Sequence, residues 1–124
     1  MDLDPVVTNP GFYRTVFENE RVRVLEYVDH PGDATTPHAH PDSVMYTLTA
    51  FRRRLSAADG ATLDVELPAG AAVWLPAQQH AGHNIGDTDT RVVFVELKDG
   101  AGRDDAAAGP LGPDTGESAL LHTS

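Results

Sequence analysis

Between residues 12 and 97 the chain is a succession of short segments rich in β-branched and aromatic residues, cut at regular spacing by turn residues. No apolar period of helical length appears before residue 100. Many short strands divided by turn signals predict an all-β fold, a sandwich or barrel.

Residues 1–19 read as a proline-broken arm with a first edge strand over 12–17. A turn at Asn19-Glu20 leads to a strand over 20–28, in which Val22, Val24, Glu26 and Val28 share one face and Arg23, Leu25 and Tyr27 the other. Residues 29–37 are a loop of turn residues, and 43–51 with 53–55 read as strand, turn and strand. Asp59-Gly60 marks a hairpin into a strand over 62–67, and Pro68-Ala69-Gly70 turns the chain into a strand over 71–75 that places Trp74 in the core. Residues 76–82 read as a loop and 90–97 as the last strand. The main β-domain is expected over 20–98. Residues 99–124, dominated by Asp, Gly, Ala and Pro, form a polar tail expected to be mobile or draped over it, with His122 solvated.

A chain of 124 residues is one domain with room for a real core. It contains no cysteine, which removes disulfides and thiol nucleophiles, so any metal must be held by histidines and carboxylates. A net charge of −10 argues against a nucleic-acid partner. The one basic cluster, Arg52, Arg53 and Arg54, would be split between the two faces of a strand. There is no bilayer-length apolar run and no leader pattern, so the expected setting is cytoplasmic, without a membrane partner.

The chemistry concentrates in residues 32–46, GDATTPHAHPDSVMY. His38 and His40, two apart on an extended segment, point to the same side and can share one cation. Neutral imidazole suits several transition metals alike. A third ligand must come from elsewhere, and His80 and His83 are the only other clustered histidines.

These residues resemble the cupin family of small jelly-roll barrels. Gly32, then five residues, then His38-Ala39-His40 opens like the family's first motif. Gly70, five residues, Pro76, then His80, three residues and Asn84 is similar to the second, one residue short between Pro and His and lacking its internal glycine. The glutamate of the first motif falls at Val44 or Met45, and Ala50-Phe51-Arg52 stands where its closing glycine belongs. The resemblance thus implies a double-stranded β-helix with a three-histidine site, His38, His40 and His80, holding one divalent ion of Fe, Zn, Ni, Mn or Cu. Other cupins without that glutamate, the thiol dioxygenases among them, use such a site for iron. It implies a dioxygenase-like enzyme on a small organic substrate, or a metal-dependent isomerase or lyase, or a non-catalytic ligand- or metal-binding module. Cupins also pair through their sheets, which implies a homodimer.

Around that site several residues are candidates. If the even positions continue inward past Pro41-Asp42, Tyr46 lies near the metal with Val44 and Leu48; otherwise it packs in the sheet. Glu96, on one face with Val92 and Phe94, is a general-base candidate if inside, or else one half of an ion pair with Arg52 or Arg54. His83 belongs to the rim or behind the ligands by alternation, unless a bulge at Gly82 turns it inward to replace the lost glutamate. Gln78 and Gln79 sit beside His80 at the mouth, with Asn84 and Arg54 as further rim or supporting groups.

Overall fold

The computed structural model describes residues 2–98 and 111–114. After a single helical turn, α1 (Pro5–Thr8), it is built of β1 (Tyr13–Glu18), β2 (Val22–Asp29), β3 (His38–His40), β4 (Ser43–Thr47), β5 (Phe51–Ser56), β6 (Thr62–Leu67), β7 (Ala72–Leu75), β8 (Gln78–Asn84) and β9 (Thr90–Leu97). The strands form two antiparallel sheets, ordered β1-β2-β9-β4-β7 and β3-β8-β5-β6. This is the all-β fold that periodicity predicts, in the double-stranded β-helix form that the cupin resemblance implies. No helix among the described residues is long and apolar enough to cross a membrane.

Local chemistry sets the corners. Asp4 caps α1 by accepting from Val6 N at 3.0 Å, with Pro5 pre-set for the first helical position. The Asn19 carboxamide accepts from Arg21 N and Val22 N, closing the β1–β2 turn. Gly60 closes the β5–β6 hairpin at φ 92°, a backbone region open to glycine at no steric cost.

Both inner faces mix apolar and polar groups, the five-stranded sheet burying Asp29 and Glu96 and the four-stranded sheet Phe51, Leu55 and Leu67 beside the residues below. The five-stranded sheet turns Tyr13, Leu25, Tyr27, Met45, Val73, Leu75, Val92 and Phe94 inward as an apolar floor. The four-stranded sheet turns His38, His40, Arg53, Gln78, His80 and Asn84 onto it, all buried. Groups like these persist inside only when their polar atoms find partners.

Three elements depart from the sequence expectation. The strand expected over 43–51 ends at Thr47, and the chain crosses to the other sheet before Phe51. Thr47 Oγ1 donates to Pro68 O at 2.6 Å and accepts from Ala71 N, while Thr49 Oγ1 donates to Asp89 O, so hydroxyls replace the ladder at the corner. Residues 76–82, expected as a loop, are mostly strand β8, a polar segment held by pairing with β3 and β5 rather than by its own propensity. Trp74 faces outward, 38% exposed, because Val73 and Leu75 take the inner positions of β7. Of the tail, residues 111–114 cross back over the barrel, where Asp114 exchanges backbone hydrogen bonds with Trp74; the rest of 99–124, including His122, lies outside the described residues.

Candidate metal centre

Pairing of β3 with β8 places His38 directly opposite His80, with His40 two residues along on the same face. The three rings lie 4.9, 4.9 and 5.1 Å apart centre to centre, and one nitrogen from each falls within 4.8 Å of the others. They are 1%, 1% and 7% exposed.

Two of the three imidazoles are oriented by an acceptor on Nδ1. His38 Nδ1 lies 2.8 Å from Thr36 O, a carbonyl that can only accept. His80 Nδ1 lies 2.6 Å from Gln78 Oε1. The Gln78 carboxamide is itself fixed, since its nitrogen donates to Pro76 O and Gly112 O and its oxygen accepts from Gly112 N. His40 Nδ1 faces Glu96 Oε2 at 3.8 Å, too long for a hydrogen bond but within reach of the carboxylate's charge. Neither of these two atoms has a hydrogen-bond partner, nor has the nearby buried Ser43 Oγ. With the Nδ1 atoms as N–H donors, the Nε2 lone pairs are free to converge.

Burial makes His38 and His80 poor bases. His38 is lowered to about 3 by desolvation and by the adjoining His40. His80 is lowered well below its ordinary value by desolvation, then by His40 and His38. At neutral pH both are therefore neutral, the form that binds metal.

Glu96 is inside, as one of the two sequence readings has it, but its partner is Arg23, which donates from Nε at 2.8 Å. Arg23 reaches on to Asp4 at 2.8 and 3.0 Å, linking the arm to the strand behind His40. Arg52 is exposed and Arg54 pairs on the surface with Asp64, so neither meets Glu96. Because Glu96 stands on the Nδ1 side of His40, it does not reach the face where the imidazoles converge.

Tyr46 is on the outer face of β4, 45% exposed, because Pro41-Asp42 shifts the phase by one and turns Ser43, Met45 and Thr47 inward instead. His83 is exposed: β8 alternates regularly through Gly82, so no bulge turns it toward the cluster. Asn84 serves a second polar network rather than the histidines, donating to Asp29 Oδ1 and Thr88 O. There Arg53 Nη1 donates to Asp29 Oδ2 at 2.6 Å, and Tyr27 also donates to Asp29. Gln79 is on the opposite face from His80.

The residue that sequence reasoning missed is Tyr13. Its hydroxyl lies 3.2 Å from His38 Nε2 and 3.4 Å from His40 Nε2. No motif marks it; only the register β1 adopts against β2 turns it inward. A cavity of about 50 Å³ opens beside the cluster, lined by Tyr13, His38, His80, Arg53, Phe94 and Pro113 among others.

No protein-family profile matches the chain, and no curated protein matches it. Solved structures do. A cupin domain from Bordetella pertussis Tohama I is 30% identical over 69% of this chain and 91% of its own, with a TM-score of 0.64. A protein with a double-stranded β-helix domain from Klebsiella pneumoniae is 23% identical over 74% of this chain and 82% of its own, at 0.57. The polyketide cyclase RemF from Streptomyces resistomycificus is 22% identical over 70% of this chain and 64% of its own, at 0.52. The chain belongs to the cupin family. Its buried three-histidine group is consistent with a metal-binding cupin.

Proposed function

We propose that this cupin holds one divalent transition-metal ion on Nε2 of His38, His40 and His80 and acts there on a small organic molecule, as an oxygenase when the ion is iron. The observation that carries the reading is the buried convergence of the three rings, with His38 Nδ1 held by Thr36 O and His80 Nδ1 by Gln78 Oε1, which leaves Nε2 of both as neutral donors beside His40. Three neutral ligands leave the ion's double charge in place and positions open. A bound ion would supply Lewis acidity and, if redox-active, electron transfer to dioxygen.

The chain's own residues set what can enter. Tyr13, Phe94, Met45 and Leu75 wall the cavity with largely apolar surface, and Arg53 offers a guanidinium at its edge. Its volume of about 50 Å³ holds on the order of four waters, so the ligand is small. The outer face of the five-stranded sheet exposes Val44, Tyr46 and Trp74, and a second copy is its proposed partner.

Metal analysis of protein purified without chelator, followed by oxygen uptake with small acids and thiols, tests this. One equivalent of iron and oxygen uptake that disappears in His40→Ala support the oxygenase reading; uptake that survives the substitution removes it. A redox-inert ion with turnover of a small carbonyl or carboxylate compound would give the isomerase or lyase reading. An ion with no turnover would leave a binding module.

A further inference from the structure

We propose that the Tyr13 phenol oxygen is the fourth protein ligand of this metal centre, completing a site of three imidazoles and one phenolate; this rests on the three-histidine reading above. The position has no other occupant among the described residues. The cluster contains no carboxylate, Met45 offers only a thioether, and Glu96 stands behind His40.

The distances fit a coordination edge. Two donors held about 2.0–2.1 Å from one ion at tetrahedral angles lie about 3.3–3.4 Å apart. The Tyr13 hydroxyl is 3.2 and 3.4 Å from the Nε2 atoms of His38 and His40.

Hydrogen-bond valence points the same way. His38 Nδ1 donates to Thr36 O, so its Nε2 is an acceptor; with the His40 Nδ1 proton turned toward Glu96, its Nε2 is one as well, and a phenol has one proton to give. One O–H facing two lone pairs leaves one of them unsatisfied, at a site where Tyr13 is only 5% exposed. A cation at the meeting point satisfies the phenolate and the imidazoles together, with the phenolic proton released to solvent.

The hydroxyl is also fixed in place. The Tyr13 ring packs 4.7 Å from Tyr27 and 5.9 Å from Phe94, and meets His38 edge-on at 5.5 Å. Ligands held by such packing enter a coordination sphere without reorganisation.

The test loads the full chain with one equivalent of cupric ion, the divalent probe that a nitrogen and oxygen site holds most tightly. The wild type should show an intense phenolate-to-copper charge-transfer band in the visible, with phenolate ring modes in resonance Raman spectra excited within it. Tyr13→Phe should lose the band and the modes, keep the copper and bind it about tenfold more weakly or worse. Tyr46→Phe, altered on the outer face, should keep both. Copper bound stoichiometrically without the band, or a band unchanged in Tyr13→Phe, overturns the assignment while leaving the three-histidine site standing. Copper not retained by the wild type overturns both. Should Tyr13→Phe fail to fold, the Raman spectrum of the wild type alone decides, because Tyr46 is outside and the Tyr27 hydroxyl is engaged by Asp29 and Arg53.

Discussion

Gln78 and His80, two residues apart on one face of β8, form a 2.6 Å hydrogen bond whose direction is dictated from outside the pair. Two backbone carbonyls fix the amide nitrogen and Gly112 N fixes the amide oxygen, so the imidazole must donate. Gln78→Leu should therefore weaken metal binding roughly 10- to 100-fold, since removal of a ligand's hydrogen-bond partner has that effect elsewhere. The variant should also loosen residues 111–114, which hydrogen exchange at Gly112 N would report.

Glu96→Gln preserves the shape behind His40 and removes the charge. Metal affinity should fall by a similar factor, measured by competition with a chelator. Arg23→Met leaves Glu96 buried without its partner and should cost about 3 kcal/mol in chemical denaturation, the larger effect of the two on folding.

Acid should unfold the metal-free protein early. His38 is lowered to about 3 in the folded chain, whereas a free histidine titrates near 6.5. Between those values the unfolded state binds more protons, so stability is complete above about pH 6.5 and is lost as pH falls toward 3. Each unit of depression is worth about 1.4 kcal/mol. Melting temperature followed from pH 7 to 4 should fall steadily in the wild type, and less steeply in His38→Gln.

Gly82→Ala tests how rigidly Arg53 is held. An added Cβ would lie 2.7 Å from Arg53 Nη2 and 3.4 Å from Leu55 Cδ2. A free arginine would swing aside at little cost. Here Asp29, Thr90 and Tyr27 hold the guanidinium, so the substitution should destabilise by about 1–3 kcal/mol. Gly82→Ala combined with Arg53→Met should recover part of the clash while losing the ion pair with Asp29; non-additive denaturation midpoints would show the coupling.

Several features were legible because they are local. Strands β6 and β9 have the bounds that alternation and β-branching mark, and the glycine of the Asp59-Gly60 hairpin adopts the positive φ such turns use. Strand β8 was not legible: Gln, His and Gly carry little strand signal, and its ladder comes from β3 and β5, far off in sequence. The inward direction expected for Tyr46 failed at Pro41-Asp42, where one residue of phase flips every side chain beyond it.

By itself the sequence determined the all-β class and the same-side pair of His38 and His40, because side-chain periodicity and residue chemistry are properties of the chain alone, and the resemblance to cupins added His80. Only the tertiary structure decided that Thr36 O and Gln78 Oε1 take Nδ1 of His38 and His80, that Arg23 rather than Arg52 or Arg54 meets Glu96, and that Tyr13 joins His38 and His40. Those facts depend on the register between strands distant in the chain, and register is set by how the two inner faces pack together.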